Sequence, residues 1–235
     1  LLGALLALCA CNVSAAEQPI TKSDADTADA VPTTQPTLLT IPSEKLFAVV
    51  TARAKQLAAK DYVAAPVIAV DALNNINYQD YRAIRFRQDH AIWKDESLYE
   101  VQLFHPGFLY KNPIAMNTVD ADAKVKNLPF KTDYYRYDGT AAPLEQAITA
   151  ALGTTQLGHA GFRLHFPLNN NDYKDEVAVF QGASYFRIVG PDQVYGISAR
   201  GLAIDTALSS GEEFPVFKEF WLVKPKPEDT HIVLY

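Results

Sequence analysis

Cysteine is almost missing from this 235-residue sequence: the two present, Cys9 and Cys11, both lie in the first sixteen residues. The rest of the chain therefore has no disulfide framework, thiolate zinc site or cysteine nucleophile. Clustered lysine and arginine are missing too, and the formal net charge is -6. That excludes the basic surface needed for nucleic acid or an anionic membrane, so nucleic acid is not an expected partner. There is no Walker loop, HExxH, EF-hand loop or dinucleotide fingerprint, which leaves no expected cofactor or metal. Gly196 to Gly201 has one residue too many for a nucleophile elbow, so Ser198 is not supported as a nucleophile. His159 and His165 fit neither one helix face nor a zinc spacing, and a structural role is the expectation for all five histidines. No repeat of fixed period is present, which argues against a propeller or solenoid.

What is present begins with an uncharged apolar stretch, Leu1 to Leu8, too short to span a bilayer but right for the core of an export signal. Small residues follow, and Val13-Ser14-Ala15 or Ser14-Ala15-Ala16 fits a cleavage site, so residues 1–16 read as a signal peptide clipped at its start. A lipoprotein signal around Leu8-Cys9-Ala10-Cys11 is the alternative. Residues 17–40, rich in Asp, Thr, Ala and Pro, read as a flexible linker. Every aromatic residue comes later, the first being Phe47, so the packed domain is expected over 41–235. Its 49% hydrophobic content suits one sizeable core.

Ser43 is a plausible cap for an amphipathic helix with Leu46, Phe47, Val50, Ala54, Leu57 and Ala58 on its apolar face. A second short helix is expected over 143–152, with Pro143 in its first turn and Gly153 ending it. Between and after them come short runs rich in Tyr, Phe, Val and Ile, broken by Pro, Gly and Asn-Asp clusters. These predict strands over 81–87, 99–105, 162–167, 176–181, 184–189, 194–199, 216–223 and 230–235. The fold class is mainly β. The apolar end, Thr230 to Tyr235, has no polar tail, and a truncation there is expected.

Between Gly158 and Trp221 aromatic, arginine and carboxylate residues are dense, the mixture that saccharide recognition needs: flat faces against C–H surfaces and charged groups for hydroxyls. Tyr185, Arg187, Tyr195, Arg200 and Asp205 are the substrate-binding candidates. The competing reading makes the aromatics sheet core and pairs Arg200 with Asp205 as a structural ion pair. Glu212 and Glu213 are expected in a solvated loop.

Several ordered blocks carry a resemblance: Tyr81 to Arg87, Phe104-His105-Pro106-Gly107-Phe108, Gly161 to Asn169, Asp175 to Arg187, and Tyr195 to Thr206. Together they resemble the osmoregulated periplasmic glucan biosynthesis proteins of types G and D, type G favoured, across nearly all of residues 43–235. The resemblance implies a large galactose-mutarotase-like β-sandwich with a glucan cleft, followed by an immunoglobulin-like domain that this chain lacks. It implies a periplasmic role in making a β-1,2-linked glucan, and a glycoside hydrolase-like, inverting chemistry run by two carboxylic groups. The family's catalytic pair is expected downstream of Tyr235, so no catalytic residue is assigned here. Enzyme, carbohydrate-binding module and scaffold for the inner-membrane glucan synthase all stay open.

Overall fold

The computed structural model describes residues 39–40, 43–64, 66–152 and 157–235, all within one compact unit. The expected signal, most of the expected linker and Gly153 lie outside the described residues.

Two five-stranded sheets dominate. The first has the order β1 (Leu39–Thr40), β5 (Lys124–Asn127), β4 (Ala115–Val119), β11 (Glu219–Val223) and β12 (Val233–Leu234). The second runs β10 (Ile197–Arg200), β9 (Tyr185–Ile188), β8 (Asp175–Gln181), β7 (Gly161–Phe166) and β3 (Glu100–Leu103), all antiparallel. In the first sheet β11 runs parallel to β4, pairing Phe220 with Met116 and Leu222 with Thr118. A separate ribbon joins β2 (Ile84–Phe86) to β6 (Tyr135–Tyr137). Strand β1, at Leu39 and Thr40, lies inside the stretch read as linker, so the sheet reaches slightly further toward the N-terminus than expected.

Period-two alternation decides what each sheet buries. Val101, Leu103, Phe162, Leu164 and Ala178 of the second sheet meet Met116, Phe220 and Leu222 of the first in one core. Phe162 packs edge-on to Phe220 at 4.9 Å and stacks on Phe180 at 4.9 Å, tying the layers together. This is a β-sandwich.

The outer face of the first sheet is covered. Helix α1 (Ser43–Ala58) lays Leu46 and Val50 against Val119, Trp221 and Val223, and Arg53 bonds Glu219 at 2.7 Å above the Trp221 ring. The helix starts at the residue read as its cap, but it buries a narrower stripe than its sequence predicts. Phe47 and Leu57 stay exposed, because only one edge of the helix touches the sheet. Among the described residues no helix packs on the outer face of the second sheet.

A second core packs α2 (Asp71–Asn74), α3 (Tyr78–Ala83) and α4 (Ala142–Ala151) around the small ribbon through Leu73, Ile84, Tyr135, Tyr137 and Ile148. Helix α4 matches the second expected helix. The strand expected over 81–87 is helical up to Ala83, because Asn77 caps α3 by accepting from the Asp80 amide at 3.0 Å. Helix α2 and strands β4, β5 and β6 were not expected. Among the described residues no helix is long and apolar enough to cross a membrane.

Candidate functional site

The uncovered face of the second sheet is where alternation places its polar and aromatic side chains. Gln102 of β3, Arg163 of β7, Gln181 of β8, and Tyr185 and Arg187 of β9 alternate with the core residues of those strands, and a bulge at Val177 brings Glu176 of β8 onto the same face. Arg163 donates from Nε and Nη2 to Gln102 Oε1, at 3.0 and 2.7 Å, and from Nη1 to Glu176 Oε2 at 3.2 Å. Arg187 bonds the other oxygen of Glu176. The face is thus wired laterally across four strands, which holds its long side chains in place.

Two clefts share Tyr110 and Gln181 on this side of the molecule. The larger, about 1050 Å³, lies between the sheet residues Phe104 and Arg163 and the opposing α3–β2–β6 wall of Tyr81, Arg85 and Arg136. The smaller, about 420 Å³, continues over Val179, Gly182, Tyr185, Arg187 and Ser198. The larger exceeds a typical small-ligand site.

Its aromatic wall is built by a tight turn. Gly107 and Tyr110 exchange backbone bonds at 2.9 Å, and Phe108 adopts a φ of 55°. This puts the Phe108 ring on Tyr81 at 6.0 Å and against Tyr78 at 5.9 Å. A left-handed conformation at a phenylalanine costs energy and is held by the structure around it. Tyr81 donates its hydroxyl to the His105 carbonyl at 2.8 Å, and burial raises its pKa, with Tyr110 adding to the shift. It is a neutral donor, not a phenolate.

Beneath the cleft two histidines are locked neutral. His105 Nδ1 faces the Pro106 carbonyl at 2.6 Å, which makes it the N–H donor and leaves Nε2 to accept from the Tyr137 hydroxyl at 3.0 Å. His159 Nε2 likewise donates to the Leu128 carbonyl at 3.0 Å while Nδ1 faces the Tyr135 hydroxyl at 3.3 Å. Burial lowers their pKa values to about 3 and about 4. Both are structural. Among the described residues no group of three or more His, Cys, Asp or Glu is placed to hold a metal ion.

The five residues singled out from sequence separate. Tyr185 and Arg187 line the smaller cleft. Arg200 lies beside Tyr185, its register partner across β9 and β10: its guanidinium sits 5.7 Å from the Tyr185 ring and 5.8 Å from the Phe214 ring, and it is ion-paired with Glu212 and bonded to Thr206. Its structural partner is therefore Glu212 and not Asp205, and Glu212 is half-buried instead of solvated. Tyr195, 82% exposed in the turn between β9 and β10, and Asp205, exposed with a φ of 54°, line neither cleft. The wall formed by Tyr81, Arg85, Phe104, Phe108 and Tyr110 was not picked out as a site. Its signal was the spacing of Arg85 and Arg87 around Phe86, which puts both arginines on one face of β2 and its extension.

The carboxylates lining the larger cleft among the described residues are Asp89 and Glu145. The Arg87 guanidinium, bonded at 2.8 Å, holds Asp89 below the usual carboxylate range, so Asp89 stays ionised and cannot serve as a general acid near neutral pH.

The family model described as "Periplasmic glucan biosynthesis protein, MdoG" matches residues 46–235. The chain is 45% identical over 183 residues to Glucans biosynthesis protein G of Rhodopseudomonas palustris, covering 77% of this chain and 34% of that protein. It is 46% identical over 187 residues to that of Ralstonia nicotianae (79% and 36%), and 43% identical over 183 residues to that of Vibrio cholerae (77% and 32%). It spans about a third of the length of these curated relatives. A sandwich with one uncovered, cleft-bearing face and a family match over residues 46–235 lead to one assignment: the chain belongs to the MdoG family of periplasmic glucan biosynthesis proteins.

Proposed function

We propose that this chain supplies the glucan-binding face of a periplasmic protein that takes part in glucan biosynthesis. The observation that carries the reading is the pair of adjoining clefts on the outer face of the second sheet, lined by aromatic rings and hydrogen-bonding arginines. Sugar rings stack on Tyr185, Phe108 and Tyr110, and Arg163, Arg187 and Gln181 bond hydroxyls. Export to the periplasm by a cleaved signal peptide belongs to the same reading. The whole protein then acts on a β-1,2-linked backbone with carboxylates supplied by the part of its relatives' length that this chain does not span.

The test incubates linear β-1,2-glucan with this chain and with the full-length protein, following product length by mass spectrometry. Shortening by the full-length protein alone supports a hydrolase assembled on this face. Binding by both with no change in length favours a carbohydrate-binding or scaffold role beside the inner-membrane glucan synthase. In either case Tyr185→Ala should weaken glucan binding about tenfold in calorimetric titration, the loss of one stacked ring. Unchanged affinity would remove Tyr185 from the site.

A further inference from the structure

The wall of the larger cleft carries more positive charge than a neutral sugar needs. Five arginines, Arg82, Arg85, Arg87, Arg136 and Arg163, line it against the two carboxylates Asp89 and Glu145, in a chain whose overall charge is -6. Three of the five have partners: Arg87 bonds Asp89, Arg136 bonds Asp138, and Arg163 bonds Glu176. Among the described residues the side chains of Arg82 and Arg85 have neither an ion-pair nor a hydrogen-bond partner.

Strand register adds a second observation. Arg85 lies directly opposite Arg136 in the β2–β6 ribbon, flanked by the pairs Ile84–Tyr137 and Phe86–Tyr135. Like charges opposed on an antiparallel pair repel, with Cβ atoms about 5 Å apart. The flanking pairs pack into the core, so the two arginines stand together on the opposite face of the ribbon, both reach the larger cleft, and a register shift cannot relieve them. An anion seated between the two guanidinium groups removes the repulsion and meets their planar donor geometry.

We propose that the Arg85–Arg136 pair, with Arg82 beside it, is an anion subsite that recognises a carboxylate or phosphate group carried by the saccharide in this cleft. The inference rests on the cleft binding glucan. Neutral sugar units occupy the aromatic stretch around Tyr110 and Tyr185, and an anionic substituent is read at the arginine end. The subsite thus sorts charged from uncharged polymer.

The experiment compares neutral linear β-1,2-glucan with the same polymer partially carboxymethylated, titrated calorimetrically into the full-length protein and its Arg85→Gln variant at low salt. The charged polymer should bind about tenfold more tightly than the neutral one, a preference that high salt suppresses. In Arg85→Gln the preference should fall to about one. The ligand-free variant should unfold at the same or a higher temperature, since a like-charge contact is gone. Equal affinities for the two polymers in the native protein, or a preference that survives in Arg85→Gln, would overturn the subsite. If neither polymer binds, the glucan reading of the cleft fails, and inorganic phosphate decides the subsite separately. An Arg85-dependent rise in melting temperature with phosphate upholds it, and no rise rejects it.

Discussion

Gly161→Ala should cost about 4 kcal/mol or more and leave little folded protein, because it places a methyl group inside a backbone carbonyl. Gly161 opens β7, the strand flanked by β3 and β8, with a φ of 133°. A Cβ there would sit 2.0 Å from the Phe180 carbonyl oxygen and 3.1 Å from the Gln181 Cα. The obstruction is main chain in the sheet, so no side chain can turn aside to relieve it. Separating β7 from β8 would break the pairing of Gly161 with Gln181 and strain the bond from the Phe104 amide to the Gly161 carbonyl at 2.9 Å. Both Phe104 and Gln181 line the larger cleft. Gly139 provides the contrast: its φ is 55°, but nothing lies within 4 Å of a Cβ. Gly139→Ala should therefore cost only the left-handed penalty of about 1 kcal/mol. Urea denaturation of both variants checks the pair, and comparable stability for the two would contradict the close approach of β7 to β8.

Acid should weaken the fold well before most carboxylates titrate. His105 and His159 are held neutral in the folded state, with pKa values of about 3 and about 4, while the unfolded chain returns each to about 6.5. The folded values are the lower ones, so below about pH 6.5 the unfolded state binds more protons and stability falls as pH falls. Above about pH 7.5 the two histidines contribute almost no pH dependence. Between about pH 7.5 and 5 they together remove about 4 kcal/mol, with a slope approaching two protons near pH 5. Denaturation midpoints measured across that range read this directly. A flat profile would mean that both rings reach solvent, and about half the slope that one of them does.

The sandwich was legible where alternation is strong and both neighbours are present. Strands β7, β8 and β9 fall close to their expected ranges because Phe162, Leu164, Phe180 and Phe186 mark the inward side at every second residue. Strand β5, Lys-Val-Lys-Asn, has no apolar face to announce it and exists because β4 and β1 pair with it. Strand β4 depends on a parallel partner, β11, that lies far away in sequence, beyond any local pattern. The same limit applied to the site. Tyr185 and Arg187 stood out in a dense polar-aromatic stretch, but the opposite wall comes from residues near Tyr81 and Phe104. Only the β3–β7 pairing sets Phe104 beside Arg163, 5.7 Å from ring to guanidinium. Tyr195 and Asp205 matched by residue type, yet composition does not distinguish a turn that points away from a strand that faces the cleft. Arg200 was recognised as chemically apt, and the nearby Glu212 and Thr206 take up its donors instead.

The central claim is that the bare face of the second sheet holds the glucan. Amide hydrogen exchange of the full-length protein, with and without saturating linear β-1,2-glucan, tests it most directly. Protection should rise in the peptides covering residues 102–110, 161–166 and 179–187, with β1, β4, β5 and α1 unchanged. Protection confined to the helix-covered sheet, or absent from those three segments while glucan is bound, would contradict it.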